Sequence, residues 1–295
     1  MFVNRNKIVK KASLLGIIGN IFLSVIKGII GFFTGSQAMI ADFFNSAGDV
    51  LSSCMTFIGN KIATKPHDED HNLGHGKAEY IYSMLISIVM LLTSLLVLKD
   101  SYLSIFYKKE YHFSIWLVVV CLITIIVKFC LYLYTKKSSR IINNLLLKAN
   151  SIDHRNDSMI TTLNLFACLL SLLGVKYIDG IVGCIISIWI LISTLKIFKE
   201  SYDVLIDKSM HDDKKKKVYE IIENYEDIKK VTHFNSTPVG YKYQISFSIF
   251  VDGYMSTLDS HAIADKLEKE INEKIEDIYL TVIHVNPIEI NRNEK

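Results

Sequence analysis

The sequence contains only three prolines in 295 residues, and its five cysteines show no CxxC spacing. Scarce proline suits long helices, because proline breaks the helical hydrogen-bond ladder. The cysteines give no disulfide framework. No Walker-type glycine loop and no HExxH motif occurs, so the sequence favours neither an ATP-driven pump nor a membrane-embedded metallohydrolase. A net charge of +3 gives no indication of nucleic-acid binding.

Hydrophobic residues are abundant instead: they make up 50% of the chain, and the mean hydropathy is +0.29. They fall into six blocks of about membrane-spanning length. The blocks are residues 13–33, 38–62, 79–99, 113–135, 158–175 and 180–199. We therefore predict an α-helical membrane protein whose residues 1–208 form six transmembrane helices.

Basic residues indicate the orientation of these helices, because short cytoplasmic loops retain Lys and Arg. They are densest before the first block, after the second block and after the fourth block. Both termini are therefore expected in the cytoplasm, in a multi-pass protein of the cell membrane. The first block lacks a small-residue cleavage site and is expected to be retained.

After residue 208 the composition becomes that of a soluble protein. Residues 212–225 and 258–275 have the pattern of amphipathic helices, and β-branched, aromatic-rich segments between and after them indicate strands. Residues 209–295 are therefore predicted as a small cytoplasmic α+β domain of order αββαβ, a metallochaperone-like arrangement. A domain of this size has a marginal core, so packing against a second copy would stabilise it.

Polar side chains interrupt the second and fifth blocks at helical spacing. Asn45 and Asp49 lie four residues apart, as do Asp153 and Asp157, so each pair projects from one face of a helix. A charge near the centre of a membrane helix costs about 2.5–3.5 kcal/mol unless it is compensated. Oxygen donors with three negative charges suit a divalent cation. Asp42 lies close to the same stripe, either supporting the site or facing water.

Other polar residues in these blocks have a simpler explanation. Asn20 and Asn164 are expected to make hydrogen bonds between helices. Lys27 and Arg155 are expected to extend toward the membrane surface or to pair with acids. His154 is expected to point away from the face that carries Asp153 and Asp157.

Three motifs carry a resemblance to a known family: IADFFNSAGD in the second span, HDEDHNLGHGKAE in the loop after it and DHRNDS in the fifth span. With six spans and an αββαβ tail, the chain resembles the cation diffusion facilitators. The resemblance implies a homodimeric exporter of divalent transition metals, driven by a proton gradient and working by alternating access. It implies no enzymatic activity and no permanent cofactor. The implied transport site is Asn45, Asp49, Asp153 and Asp157.

The donor set departs from that of the zinc exporters in this family, which place a histidine among the four ligands. Oxygen-only ligands suit harder ions such as Mn(II), and the set resembles that of bacterial manganese exporters. We therefore predict Mn(II) as the cargo, with Fe(II), Zn(II) and Cd(II) as alternatives. Without a site histidine, proton coupling would fall to the closely placed carboxylates. A metal sensor without transport is a further alternative.

The resemblance also implies three features outside the transport site. Asp68, His71 and His75 could bind a second ion, or the loop that carries them could simply be solvated. Lys77 and Asp207 match the two partners of a structural charge pair. In the cytoplasmic domain, His233, His261 and His284 match metal ligands of zinc-type members. That last set is incomplete, because Ser246 stands where a histidine is expected and Asn286 replaces an aspartate, so only a weak site is expected there.

Overall fold

The computed structural model describes residues 2–34, 37–106, 115–172 and 178–288. The chain forms two compact units. The first comprises Met1–Pro66 and Ala78–Tyr202, and the second comprises His67–Lys77 and Asp203–Lys295. The segment between the second and third helices thus belongs to the same unit as the C-terminal part of the chain.

The described residues before the C-terminal domain form six long helices, which agrees with the predicted helical fold class. They are α1 (Phe2–Thr34), α2 (Gln37–Ala63), α3 (Ala78–Phe106), α4 (Ile115–Ile142), α5 (Leu145–Leu172) and α6 (Ile178–Leu205). The shortest has 27 residues and the longest 33, which at about 1.5 Å per residue exceeds a hydrocarbon core of about 30 Å. Within the described ranges, α1, α3 and α4 contain a continuous apolar window of spanning length. Polar residues interrupt α2 and α5.

Helix α5 begins at Leu145, whereas the apolar block predicted its span only from residue 158. Two contacts fix this start. Asn144 Oδ1 accepts a hydrogen bond from the Leu147 amide at 2.9 Å, as a helix N-cap does, and Glu79 Oε1 accepts from the Leu145 amide at 2.7 Å. Hydropathy missed these first turns because they are rich in polar residues. Asp153 and Asp157 consequently lie well inside the helix.

The first unit packs α1 along α2 and α4 along α5, and α5 also contacts α1, α2 and α3. Helix α5 is therefore enclosed by other helices over the turns that carry its acids. Large apolar side chains on the outside of the unit are exposed, among them Phe32 (81%), Phe33 (82%) and Leu96 (64%). This distribution fits a lipid-facing surface, where exposed apolar side chains meet hydrocarbon rather than water.

A buried ion pair joins several helix ends of this unit. Glu79, 2% exposed at the start of α3, accepts a hydrogen bond from Arg5 Nη2 at 2.8 Å. Arg5 Nε also donates to the Ile142 carbonyl at 3.3 Å. Because Glu79 also caps Leu145, one carboxylate links α1, α3 and α5 at the same end of the bundle.

The second unit contains α7 (Asp212–Ile222), β1 (Lys230–Val239), β2 (Lys242–Val251), α8 (Thr257–Lys274) and β3 (Ile278–Pro287). This order confirms the predicted αββαβ domain. The sheet has the order β1-β2-β3, with β1 and β2 antiparallel and β2 and β3 parallel. Parallel strands need a crossover, which α8 supplies. Side chains from helices and sheet form one core, including Val218, Ile245, Ile249, Leu267 and Ile271.

The segment 67–77 lies against the β1–β2 hairpin of this unit. A Cβ atom at Gly76 would lie 2.9 Å from Gly240 Cα, so two glycines permit a close backbone approach. Gly240 has φ +63° at the first position of the two-residue turn, where a side chain would be strained. The contact holds the histidine-rich segment in a defined position on the second unit.

Candidate functional site

Three carboxylates are buried between the helices of the first unit. Asp49 on α2 is 7% exposed, and Asp153 and Asp157 on α5 are 7% and 8% exposed. The side chains of Asn45 and Asp42 lie outside the part of the structure that is described, so their places in the site stay predictions. The acids of α2 and α5 face the same cationic side chain, a lysine of another helix.

That cation is Lys128, near the middle of α4. Its Nζ donates to Asp49 Oδ2 at 2.7 Å and to Asp157 Oδ2 at 2.6 Å, and the residue is 1% exposed. The sequence interpretation did not identify Lys128 as part of the site. The sequence does indicate it, since a lone lysine within the apolar run of the fourth block requires a buried anionic partner.

Asp153 joins the same cluster from the turn before Asp157. One ligand atom each from Asp153, His154 and Asp157 lies within 4.8 Å of the other two. Asp153 Oδ2 is buried and has no hydrogen-bond partner in the described ranges. A buried carboxylate oxygen without a donor is costly, and a bound cation would offset that cost.

His154 contradicts the expectation that it points away from the acids. The imidazole is 0% exposed, and neither ring nitrogen has a hydrogen-bond partner among the residues described. A Cβ atom at Gly16 would lie 3.5 Å from His154 Nε2 and 2.9 Å from Ser53 Oγ, so the ring faces α1 and α2. The prediction was wrong because α5 is enclosed: a side chain about 100° around the helix from Asp153 still points into the bundle.

Several other polar side chains of the first unit make contacts between neighbouring helices. Asn20 Nδ2 donates to the Asp49 carbonyl and to Ser53 Oγ, both at 3.0 Å, which confirms the expected hydrogen bond between helices. Lys27, 2% exposed, donates to Ser46 Oγ at 2.9 Å and does not extend to the membrane surface. Arg155 instead lies over the Trp189 ring, 4.0 Å from its centroid. Asn164 lies outside the described side chains.

In the second unit, Asp68, His71 and His75 form a compact cluster. Asp68 Oδ1 lies 3.0 Å from His71 Nδ1, and Asp68 Oδ2 lies 3.4 Å from His75 Nε2. Desolvation acts to raise the pKa of Asp68, but the hydrogen bonds from the His71 amide and ring, together with the charges of His71 and His75, lower it below its ordinary value. Asp68 and His71 are about half exposed. The geometry offers three ligand atoms within 4.8 Å of one another, in an open position.

The three histidines predicted as weak-site ligands in the C-terminal domain, His233, His261 and His284, are exposed and, within the described chain, form no such cluster. His233 is the bulged residue of β1, with φ +53°. Strand register pairs His284 with Ser248, whereas Ser246 pairs with Asn235 and Val282. Ser248 is therefore the serine directly beside His284, and a weak metal site in this domain stays a prediction.

The predicted charge pair is formed within the second unit. Lys77 Nζ donates to Asp207 Oδ1 at 2.6 Å, with side-chain exposures of 39% and 53%. Asp207 follows the end of α6 with φ +61°, and the Lys208 amide donates to the Asp203 carbonyl at 2.9 Å. The left-handed residue turns the chain out of α6 and directs the carboxylate toward Lys77. A structural role for the pair stays a prediction.

A helical bundle with buried carboxylates at mid-helix depth and apolar outer surfaces is typical of a membrane transporter of cations. Comparisons with known proteins agree. Residues 13–206 match the family model of the cation efflux transmembrane domain, and residues 210–288 match that of the cation efflux protein cytoplasmic domain. The chain belongs to the cation efflux family, the cation diffusion facilitators, whose members are transporters.

Individual relatives cover nearly the whole chain. The manganese efflux system protein MneP of Bacillus subtilis is 27% identical over 97% of this chain and 99% of its own length. The manganese efflux system protein MneS of the same organism is 27% identical over 95% and 96%. The cation-efflux pump FieF of Shewanella oneidensis is 25% identical over 96% and 95%. The chain thus resembles the manganese exporters of its family.

Proposed function

We propose that this protein exports Mn(II) across the cell membrane in exchange for protons, as a homodimer with both termini in the cytoplasm. The observation that carries the proposal is the cluster of Asp49, Asp153 and Asp157, buried between α2 and α5. Three carboxylates supply hard oxygen donors, which suit Mn(II) better than soft ligands do. The names of MneP and MneS support the same cargo.

The proposed ligands are Asp49, Asp153, Asp157 and the amide oxygen of Asn45. Metal reaches them from the cytoplasm and exchanges water for carboxylate oxygens. The bundle then opens toward the other side, and protons take the place of the ion on the carboxylates. Closely spaced acids suit this exchange, because their repulsion favours protonation once the ion has left.

His154 makes Zn(II) the leading alternative cargo. Its imidazole lies within the same cluster of ligand atoms as Asp153 and Asp157. A nitrogen donor favours Zn(II) over Mn(II). The preference for Mn(II) that oxygen ligands give therefore applies only if His154 does not bind the ion. The transport assay below therefore includes both metals.

The proposal is tested by Mn(II) and Zn(II) flux into proteoliposomes, with and without an imposed pH gradient, and with Asp49→Ala as the inactive control. We expect Mn(II) flux to exceed Zn(II) flux, to depend on the gradient and to vanish in the control. Zn(II) flux equal to or above Mn(II) flux contradicts the cargo. Flux that ignores the pH gradient contradicts proton exchange, and flux of neither metal contradicts transport.

A further inference from the structure

Lys128 holds the oxygen atoms that the proposed metal site requires. Its Nζ donates to one oxygen of Asp49 and one oxygen of Asp157, at 2.7 and 2.6 Å, and so connects the two helices of the site. The residue is 1% exposed. The lysine comes from α4, which supplies none of the proposed ligands, so the cation enters the site from a third helix.

A lysine ammonium and a divalent ion compete for these carboxylates. Each needs close contact with carboxylate oxygens, and two cations held by the same oxygens would repel each other strongly in a buried environment of low dielectric constant. A metal ion can therefore bind Asp49 and Asp157 closely only if the ammonium withdraws. The long, flexible stem of lysine permits such a movement without a change of the backbone.

Taking the proposed transport site as given, we propose that Lys128 is an internal counter-cation that competes with the transported metal. When the ion binds, the ammonium leaves the oxygens of Asp49 and Asp157. When the ion departs, the ammonium returns to Asp49 and Asp157 and prevents rebinding; it neutralises only part of the carboxylate charge, and the proton exchanged for the ion neutralises a further part. Lys128 thereby weakens metal affinity and speeds release, acting as a positioning residue and not as a ligand.

A purely structural role for Lys128 makes the opposite prediction. If the lysine only clamps α2, α4 and α5 together, removing its charge would loosen the site and weaken metal binding. If it competes with the metal, removing its charge strengthens binding. The direction of the change in affinity therefore separates the two roles.

The test uses the full-length protein with Lys128→Met, Lys128→Gln and Lys128→Arg. Mn(II) and Zn(II) dissociation constants are measured in detergent, and KM and kcat of flux in proteoliposomes. We expect both neutral variants to bind either metal at least about tenfold more tightly, with a lower KM and a lower kcat. Lys128→Arg retains the charge and pairs well with carboxylates, so its affinity should equal or fall below that of the wild type.

Binding by folded Lys128→Met or Lys128→Gln that is no tighter than wild type overturns the proposal, as does tighter binding by Lys128→Arg. In Lys128→Met the buried acids have no compensating charge, which destabilises the fold. We therefore expect Mn(II), added during purification, to keep this variant folded. If it aggregates even with Mn(II), the affinity of Lys128→Gln decides. Equilibrium binding is independent of flux, so a wild-type protein that binds metal without transporting it refutes the proposed function and leaves this test intact.

Discussion

The two clusters of metal-ligating side chains use the same residue types in opposite surroundings. Asp153, His154 and Asp157 are buried within the helical bundle, whereas Asp68 and His71 are exposed on the second unit. In the bundle each charge must be compensated, and the structure supplies Lys128 for that purpose. In the exposed cluster water compensates the charge. We therefore expect substitutions of the acids in the first cluster to have larger effects than substitutions in the second.

The largest effect is expected from Asp157→Asn in the bundle. Losing residues that only orient metal ligands costs about 10- to 100-fold, so losing a ligand should reduce Mn(II) flux by more than about 100-fold. Lys128 keeps Asp49 as a partner in this variant, so the fold should be retained. Asp68→Asn is the matched control and should retain flux. Normal flux in Asp157→Asn would show that transport does not require the buried cluster.

Two ion pairs extend the comparison from binding to stability. Glu79→Ala removes the buried carboxylate that accepts hydrogen bonds from Arg5 and from the Leu145 amide, and it should cost about 3 kcal/mol. Lys77→Ala breaks an exposed pair with Asp207 and should cost less than about 1 kcal/mol. The free energy of unfolding of each variant is measured in mixed micelles and compared with that of the wild type. Equal losses would show that burial does not decide the cost of these pairs.

A smaller effect, on selectivity, is expected from His154→Ala. If the imidazole supplies a nitrogen donor, Zn(II) affinity should fall at least about threefold more than Mn(II) affinity, because imidazole favours zinc. Competition binding with both metals in one sample measures the ratio directly. A fall in Mn(II) affinity alone would mean that His154 positions the carboxylates and does not select between the two metals.

The smallest effect is expected from the exposed cluster. A double variant, His71→Ala with His75→Ala, should change Mn(II) flux by less than about twofold, since exposed charge pairs contribute little. Flux at several Mn(II) concentrations measures it. A loss comparable to that of Asp157→Asn would show that both clusters belong to one transport path.

Much of the fold was predictable, because long apolar blocks indicate burial in lipid and the αββαβ pattern indicates a small core. The carboxylates were predictable because charges four residues apart are conspicuous inside an apolar span. Lys128 and His154 were not predicted, because helical spacing shows which residues share a face of one helix. It does not show which neighbouring helix covers that face. The early start of α5 was missed because its first turns are rich in polar residues and because one of its two caps, Glu79, comes from another helix.

The most direct test of the central claim is equilibrium Mn(II) binding to three purified proteins: the wild type, Asp49→Asn with Asp157→Asn, and Asp68→Asn with His71→Ala and His75→Ala. If the buried acids form the transport site, the tightest Mn(II) site disappears in the first variant and persists in the second. Loss of that site in the exposed-cluster variant, with retention in the buried-cluster variant, would contradict the assignment.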